Sequence, residues 1–273
     1  MKIVVIPDTH LLQSLILPKI EATAPKDTEL FLFLGDYFDN WNQTGKYQLS
    51  EHECNTLTDF TNKHNCKLLL GNHDIPYLTT EIDSFSDSNS KTIMLYQKTL
   101  MDIGASLAYQ AGNYTFTHAG MVTDELVGID FLTIDNSNYS EHLDYLNYVQ
   151  NVSEPSMVWV RPDERYPWNP KYKHQVVGHS PHETLTTLTN DDQTFTYMDT
   201  FSLSYREVPI NREQTITQYS QIGDGSYLYI DTDTETTQVI QTDWASEATH
   251  KQIFEHFVLN YYGGKEPSTQ LGG

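Results

Sequence analysis

Three apolar runs near the start of the chain each end abruptly in polar residues. The runs cover residues 2–6, 29–34 and 67–70, and their short length and large apolar side chains predict buried β-strands. Carboxylate, amide and imidazole groups follow each run at once, in the segments Asp8-Thr9-His10, Gly35-Asp36-Tyr37-Phe38-Asp39 and Gly71-Asn72-His73-Asp74. Polar groups directly after a buried strand are costly unless they find partners. This pattern therefore indicates a functional site rather than ordinary turns.

Helical spacing of apolar residues fills the gaps between these runs. We expect helices over 12–23, 50–64 and 91–103, the second beginning at a capping Ser50, with Pro18 as a possible break in the first. Strands that alternate with helices predict a mainly parallel sheet covered by helices. Two later short strands, 114–117 and 175–177, end in His118-Ala119-Gly120 and Gly178-His179-Ser180-Pro181-His182. Because ligand sites lie beyond the carboxyl ends of parallel strands, the five clusters should converge.

The residue types in these clusters are those that bind divalent metals. The candidate ligands combine carboxylate, amide oxygen and imidazole groups: Asp8, His10, Asp36, Asn72, His118 and His179. Asp8 and His10 can face one ion from a tight loop, and the Asp36 carboxylate can bridge two ions. Taken singly, Asp8-Thr9-His10 favours a helix cap with a solvent-exposed histidine. Gly35-Asp36 alone fits an ordinary turn, and a lone His118 is more often a core or surface histidine. The five clusters together, each after a strand, favour a metal site.

The character of the chain changes after about residue 183. Segments 194–199, 205–208, 226–231 and 237–242 are rich in Thr, Tyr and Val and predict antiparallel strands, followed by a closing helix over 245–259. No linker divides the chain, so we expect one domain over 1–262. Its motif-bearing part is 1–200 and its mainly β part is 201–243. Residues 263–273 form a polar, glycine-flanked tail that we expect to be flexible. The segments 83–90 and 133–140 predict polar loops.

Composition excludes several classes of function. The 273 residues carry 37 acidic and 16 basic side chains, a net charge of −21, which argues against binding of long nucleic acid. No run is long enough for a membrane-spanning helix, and the first strand leaves no room for a cleaved signal peptide. The two cysteines, Cys54 and Cys66, are too few for a disulfide framework, so a cytoplasmic location is expected.

The five clusters resemble the calcineurin-like metallophosphoesterase superfamily, whose pattern is DxH, GDxxD, GNH(D/E), H and GHx. The segments 116–121 (FTHAGM), 159–162 (WVRP) and 176–181 (VVGHSP) are similar to the bacterial and phage phosphoprotein-phosphatase branch. That branch includes diadenosine tetraphosphatase-like enzymes. The resemblance covers roughly residues 3–200. It implies an α/β fold with two central mixed β-sheets flanked by helices, and a binuclear metal centre.

The resemblance also implies residue roles. Asp8, His10 and Asp36 would hold one ion, and Asp36, Asn72, His118 and His179 the second. Manganese is expected first, with iron, zinc, nickel or magnesium as alternatives. His73 would protonate the leaving oxygen, oriented by Asp39, and an imidazole beside a carboxylate is the usual arrangement for such a donor. Arg161 matches an arginine that related phosphatases direct at the phosphate.

Two departures from the family pattern stand out. The branch usually places a phosphate-binding arginine after GDxxD, and this chain has Asn40 there. Arg161 is therefore the first candidate for the missing positive charge, with Arg165 and Lys173 next. An ion pair of Arg161 with Asp163 or Glu164 is the alternative. His182 stands three residues after His179 rather than two, so we interpret it as a rim histidine and not as a ligand.

The expected function is hydrolysis of a phosphomonoester or phosphoanhydride by a water activated between two metal ions. Nucleotides, dinucleoside polyphosphates and phosphoproteins remain open as substrates. Aromatic residues near the motifs, namely Tyr37, Trp41, Trp159 and Trp168, could stack on a base, but packing is an equally good interpretation. The alternatives are a phosphodiesterase or nuclease of the same superfamily, and a metal-stabilised binding protein without turnover.

Overall fold

The fold consists of two mixed five-stranded β-sheets flanked by helices, as the sequence predicts. The computed structural model describes residues 1–40, 46–79, 87, 89–122, 125–151, 156–162, 167–209 and 215–259. Of the sequence-based expectations, Trp41, Asp163, Glu164, Arg165, most of the 83–90 loop and the 263–273 tail lie outside these ranges.

The first sheet contains the first three predicted strands. Its strands are β1 (Lys2–Ile6), β2 (Leu30–Phe33), β3 (Cys66–Leu68), β11 (Ser226–Asp231) and β12 (Thr236–Gln241). They lie in the order β12-β11-β1-β2-β3, with β1, β2 and β3 parallel and β11 and β12 antiparallel. All four residues of β2 are buried, because both faces of this central strand are covered.

The second sheet carries the later two clusters. Its strands are β4 (Ala108–Ala111), β5 (Tyr114–Thr117), β6 (His174–Pro181), β7 (Thr186–Asn190) and β8 (Gln193–Asp199). They lie in the order β4-β5-β6-β8-β7. The expectation that 194–199 pairs only in antiparallel fashion is wrong, because β8 lies parallel to β6 and antiparallel only to β7. β8 therefore ends at the same edge as β5 and β6.

A separate two-stranded hairpin follows the second sheet. It consists of β9 (Leu203–Pro209) and β10 (Thr215–Gln221), paired antiparallel with Tyr205 opposite Tyr219. The sequence analysis anticipated only part of β9 and missed β10. The missed strand is polar at most positions, so its apolar signal is weak.

Six helices surround the sheets in the described parts of the chain. They are α1 (Gln13–Thr23), α2 (Tyr47–Lys63), α3 (Ile75–Thr79), α4 (Ser90–Ile103), α5 (Tyr139–Asn151) and α6 (Glu247–Leu259). Three expectations need correction. α1 continues through Pro18, and α5 begins within the expected 133–140 loop. α2 starts at Tyr47, so Ser50 lies inside it and hydrogen-bonds Tyr96 at 2.6 Å instead of capping.

The main apolar core draws side chains from both sheets and from the helices, including Ile3, Phe116 and Phe257. Polar contacts hold the start of α1, the helix that follows the Asp8-Thr9-His10 cluster. The N-cap residue Leu12 has no capping side chain, and Glu53 of α2 accepts the Ser14 backbone N–H at 2.8 Å in its place. Among the helices described, none combines the length and the apolar character that crossing a membrane requires.

Candidate metal centre

The structure brings all six predicted metal ligands into one cluster between the strand ends of the two sheets, and all but the buried His118 line the cleft there. Asp8, Asp36 and Asn72 follow β1, β2 and β3, His118 follows β5, and His179 lies near the end of β6. The carboxylates and Asn72 are almost completely buried, as is His118, whereas His10 keeps part of its ring exposed. Parallel strands of both sheets deliver their carboxyl ends to this place, which explains the convergence.

Two overlapping groups of ligand atoms occupy the cleft. Among the described residues, Asp8, His10 and Asp36 form one group, and Asp36, His118 and His179 form the other. Within each group the ligand atoms lie within 4.8 Å of one another. A single oxygen, Asp36 Oδ2, lies 3.7 Å from His10 Nε2 and 3.3 Å from His118 Nε2. Asp36 is therefore common to both groups.

Each of the three imidazoles donates one ring N–H to a backbone carbonyl. The bonds run from His10 Nδ1 to Asp39 O at 3.0 Å, from His118 Nδ1 to Leu34 O at 2.8 Å, and from His179 Nε2 to Trp159 O at 3.1 Å. A carbonyl oxygen can only accept, so these nitrogens carry the protons and the other nitrogen of each ring faces the cluster. Metal-binding histidines are usually oriented by this kind of bond.

The second nitrogens meet acceptor atoms rather than donors. Asn72 Oδ1 lies 2.9 Å from both His118 Nε2 and His179 Nδ1. Burial, with the nearby His118 and Arg161 charges, lowers the pKa of His179, so its Nδ1 presents a lone pair to the oxygen. Two acceptors at this distance repel each other unless a cation binds both. The donor set therefore fits a divalent metal ion.

The two carboxylates at the centre are in unequal environments. Burial raises the pKa of Asp8, and the nearby Asp199 and Asp36 carboxylates raise it further. Burial acts in the same direction on Asp36, but the charges of His118 and His73 outweigh it and lower the pKa of Asp36. Asp36 is therefore the carboxylate that the surrounding positive charge keeps ionised.

Two glycines make room for these carboxylates. A Cβ atom on Gly71 would lie 2.0 Å from Asp36 Oδ1, and one on Gly178 would lie 2.0 Å from Asp8 Oδ1. Both distances are far inside van der Waals contact, and the obstructing atoms belong to candidate ligands. Any larger residue at either position would push a carboxylate out of the cluster.

The backbone of the site is strained at four non-glycine residues. They have positive φ angles: His10 (39°), Asp36 (54°), Asp39 (65°) and His179 (64°). Residues with a side chain rarely adopt this region, and each instance costs on the order of 1 kcal/mol or more. Four such residues in one site indicate that the local backbone is less stable than it could be, and that this conformation directs their side chains toward the cleft.

His73 and Asp39 lie beside the ligand groups. His73 Nδ1 is 3.2 Å from Asp39 Oδ2. The rings of His73 and His10 meet edge to face, with their centroids 5.3 Å apart. Burial alone would lower the pKa of His73, but Asp36 and the hydrogen bond to Asp39 raise it to about 9. In this environment His73 carries a proton at neutral pH.

Asp74, the last residue of its cluster, has a positioning role that the sequence did not reveal. Its Oδ2 accepts the N–H groups of Asp36 at 2.7 Å and Gly71 at 2.9 Å, and its Oδ1 accepts that of Tyr37 at 3.0 Å. The buried carboxylate thus ties the loop after β2 to the loop after β3. Both loops supply candidate ligands.

The basic residues considered for phosphate binding fall in different places. Arg161 lines the cleft with an exposed side chain. Lys173 does not line the cleft, and its Nζ forms an ion pair with Glu235 at 2.6 Å. Asn40, which replaces the usual arginine, also lines the cleft, and its Nδ2 donates to His10 O at 3.4 Å. Among the candidates that the structure describes, Arg161 is thus the one that lines the cleft.

Of the aromatic residues near the motifs that the structure describes, Tyr37 and Trp168 pack against the fold, and Trp159 lines the cleft. Tyr37 is fully buried, and Trp168 stacks on Phe195 at 5.7 Å between ring centroids. Trp159 lines the cleft and is 38% exposed. His182 stacks on Tyr197 at 4.6 Å and does not line the cleft.

Sequence reasoning missed Asp199, a buried carboxylate in the cleft wall. It ends β8, and its oxygens lie 2.6 and 2.7 Å from Ser202 Oγ. Burial raises the pKa of Asp199 to about 7. The signal was present, because Asp199 is the last residue of a predicted strand, close to the strand-end positions of Asp8 and Asp36. It was overlooked because 194–199 was assigned to an antiparallel region.

His256 of α6 is a second residue that sequence reasoning missed. Its buried ring donates from Nε2 to Leu11 O at 2.8 Å, next to His10. No local pattern links residue 256 to residue 11, so only the tertiary structure could reveal this contact.

Comparison with known families agrees with this geometry. A family model described as calcineurin-like phosphoesterase matches residues 1–208. The chain belongs to this family. It is a metal-dependent phosphoester hydrolase, and the predicted resemblance is confirmed at the level of the superfamily.

Solved structures that resemble this calcineurin-like phosphoesterase are distant in sequence. A protein serine/threonine phosphatase from Saccharomyces cerevisiae is 16% identical, with a TM-score of 0.46 over 72% of this chain and 67% of that chain. A cold-active protein-tyrosine phosphatase from a Shewanella species is 16% identical, with a TM-score of 0.43 over 88% and 80%. A hypothetical protein from Pyrococcus horikoshii is 12% identical, with a TM-score of 0.46 over 97% and 99%. No curated protein matches the chain significantly.

The glycine cradle around Asp8 yields a direct test. Replacing Gly178 with Ala should displace the Asp8 carboxylate, because the new Cβ would lie 2.0 Å from Asp8 Oδ1. We expect Mn²⁺ affinity, measured by calorimetry, to fall at least about tenfold, as for loss of a ligand's support. Gly128→Ala is the matched control, since a Cβ there meets nothing within 4 Å. Equal metal affinity in both variants would contradict the cradle.

Proposed function

We propose that this chain hydrolyses a phosphomonoester or phosphoanhydride with two divalent metal ions that share Asp36. The observation that carries the proposal is the position of Asp36 Oδ2, 3.7 Å from His10 Nε2 and 3.3 Å from His118 Nε2. One carboxylate oxygen facing two groups of ligands suits two adjacent ions. When bound, such ions supply Lewis acidity at the phosphoryl oxygens and an activated water for in-line attack.

The ligand groups divide between the two ions. Asp8, His10 and Asp36 would hold the first ion, and Asp36, Asn72, His118 and His179 would hold the second. The overlap of the two groups at Asp36 supports this division. Mixed carboxylate, amide and imidazole ligands suit manganese, which is the first ion to test, with iron, zinc, nickel and magnesium as alternatives.

His73 protonates the leaving-group oxygen as the phosphorus–oxygen bond breaks, and Asp39 orients its ring. Three features support this role: His73 lines the cleft, its Nδ1 lies 3.2 Å from Asp39, and it belongs to neither ligand group. With Nδ1 held by a carboxylate, Nε2 is the nitrogen that can deliver a proton. Metal binding alone would require neither residue.

Arg161 binds the non-bridging oxygens of the phosphate. It lines the same cleft as the ligand groups, and its charge adds to burial and to the His118 charge in lowering the pKa of His179. A guanidinium can bind two phosphate oxygens at once. Asn40 occupies the position of the usual arginine and instead holds the His10 loop, so Arg161 takes over the phosphate contact.

The substrate is a small phosphorylated molecule or a phosphorylated side chain. The cleft has a volume of about 370 Å³, which is at the lower end for binding sites of small molecules. Nucleotides, dinucleoside polyphosphates and phosphoproteins are the candidate classes. The net charge of −21 disfavours long nucleic acid, and a phosphodiesterase or a binding protein without turnover are the alternative functions.

We also propose that residues 1–262 form one domain and that the protein acts in the cytoplasm. The core that includes Ile3 near the start of the chain and Phe257 in α6 supports the first point. Free Cys54 and Cys66 suit a reducing compartment and support the second.

Turnover of simple esters tests the function. With Mn²⁺ added, the wild-type chain should hydrolyse para-nitrophenyl phosphate faster than its bis-ester. Asp36→Asn should abolish turnover and lower bound metal at both sites, measured by elemental analysis. Asp144→Asn, on the exposed face of α5, is the matched control and should keep both. Preference for the bis-ester would favour the phosphodiesterase alternative. Two full metal equivalents in Asp36→Asn would exclude the shared ligand.

Substitution of His73 tests the proton donor. His73→Asn should retain both metal ions and reduce kcat by roughly 10²–10⁴-fold for an alkyl phosphate, the usual range for a general acid. The reduction should be smaller for para-nitrophenyl phosphate, whose leaving group needs less protonation. Asp39→Asn should give a milder form of the same pattern. Equal reductions for the two substrates would assign His73 a different role.

Substitution of Arg161 tests phosphate binding. Arg161→Ala should raise KM and lower kcat together, with metal content unchanged, because the ground state and the transition state both lose a bidentate contact. Arg161→Lys should recover little of the loss, since an ammonium acts as a point charge. Wild-type efficiency of Arg161→Ala on monoesters would show that the arginine is structural.

A further inference from the structure

The hairpin of β9 and β10 forms one wall of the cleft. Leu203 and Tyr205 of β9 and Tyr219 of β10 all line it. Residues two apart on a strand share a face, and Tyr205 pairs directly with Tyr219 across the hairpin, so these three side chains form one surface. β10 lies beyond residue 208, where the match to the family model ends. Part of this wall therefore belongs to the chain's own C-terminal region.

Packing against neighbouring parts of the fold holds this wall in place. The Tyr219 ring is buried and stacks on Phe257 of α6, with centroids 4.5 Å apart and planes at 23°. Phe201, which also lines the cleft, meets the buried Trp244 edge to face at 5.2 Å. Stacked and edge-to-face contacts of this kind stabilise aromatic rings in one orientation. The wall is a supported surface and not a loose loop.

The hairpin residues that the structure shows lining the cleft, Leu203, Tyr205 and Tyr219, are aliphatic or aromatic and carry no charge. Arg206 of β9 points to the other face, where its Nε and Nη2 donate to Gln218 Oε1 at 3.0 and 2.8 Å, and it does not line the cleft. Tyr205 remains 44% exposed on the cleft side. A surface that turns its arginine away and offers a tyrosine ring suits a flat organic group, and not a second phosphate.

A second exposed aromatic ring stands beside the ligands. Trp159 lines the cleft, is 38% exposed, and its ring meets His179 edge to face at 6.0 Å. The cleft therefore combines a phosphate-binding centre with aromatic surface on its lining. A cleft of about 370 Å³ has room for one ring in addition to one phosphate.

We propose that the β9–β10 wall, through Tyr205, binds an aromatic ring joined to the phosphate, so that the substrate class is an aromatic phosphomonoester. This rests on the proposed function of the metal centre. The ring can come from a phosphotyrosine side chain or from the base of a nucleoside monophosphate, since both present a planar π-face. Stacking on a tyrosine adds affinity for either.

Calorimetry with two phosphonates tests the inference without turnover. For the Mn²⁺-loaded wild-type chain, phenylphosphonate should bind more tightly than methylphosphonate. Tyr205→Ala should reduce this ratio of affinities by about 5-fold, within the range expected for one aromatic pair. Tyr205→Phe should keep the ratio, because it keeps the ring. Tyr148→Ala is the matched control, since Tyr148 is 60% exposed on α5 and does not line the cleft.

The outcomes separate this inference from the function on which it rests. Equal ratios for wild type and Tyr205→Ala, or no preference for phenylphosphonate in the wild type, would overturn the ring site even if monoesters are hydrolysed. Faster hydrolysis of phosphotyrosine than of a nucleoside 5′-monophosphate would identify the side chain as the source of the ring, and the reverse order would identify the base. Faster hydrolysis of glycerol phosphate than of both would overturn the substrate class.

Discussion

The burial of Asp8 and Asp36 within one cluster is the constraint on which the rest of the site depends. Two carboxylates removed from water cost several kcal/mol each unless positive charge compensates them. Burial raises the pKa of Asp8, while His118 and His73 lower that of Asp36, so imidazoles offset only part of the cost. A divalent ion in contact with both would neutralise the remaining charge. The family's dependence on metals and the electrostatics of the cleft thus have the same physical origin.

The backbone is adapted to that constraint at several points. Gly71 and Gly178 leave space for the carboxylate oxygens, and Asp36 and His179 themselves accept left-handed φ angles. Such strain persists only where the surroundings fix it. Asp74 does so by binding backbone N–H groups on both of the loops that it connects. The strained backbone lowers local stability, and it fixes the candidate ligands in one arrangement before an ion binds.

Distant parts of the chain support the same arrangement. Glu53 caps the start of α1, and His256 of α6 binds Leu11 O, so two helices hold the short segment that follows His10. The motif-free C-terminal region thus contributes to the site in two ways. α6 anchors the His10 loop, and through Phe257 it also supports Tyr219 in the hairpin wall. The positions of the candidate ligands and the shape of the cleft therefore both depend on the packing of α6.

The sequence was sufficient to predict which candidate ligands the fold brings together, but not the contacts that support them, for a physical reason. Each ligand follows an apolar strand, and parallel strands deliver their ends to one edge, so a local pattern was sufficient to locate Asp8, Asp36 and His118. Asp74 and His256 act through hydrogen bonds to the backbone of remote residues, which no local period encodes. Helix α5 was missed because its apolar face is narrow: of its buried residues, Leu146 and Val149 are apolar and Gln150 is polar. Strand β10 was missed because most of its residues are polar, and its place in the cleft wall depends on tertiary packing against α6.

The electrostatics of the whole chain favour a compact substrate with one phosphate. With 37 acidic against 16 basic residues, most of the surface repels anions. Screening confines that repulsion to about 8 Å at physiological ionic strength, so a small dianion inside the cleft responds mainly to bound ions and Arg161. An extended polyanion would also lie against acidic surface outside the cleft. Arg206, which could have offset this next to the wall, is bound to Gln218 on the opposite face. Under the proposed function, charge and shape would therefore favour the same kind of ligand: one phosphate at the candidate metal centre, attached to a group that needs contact surface rather than counter-charge.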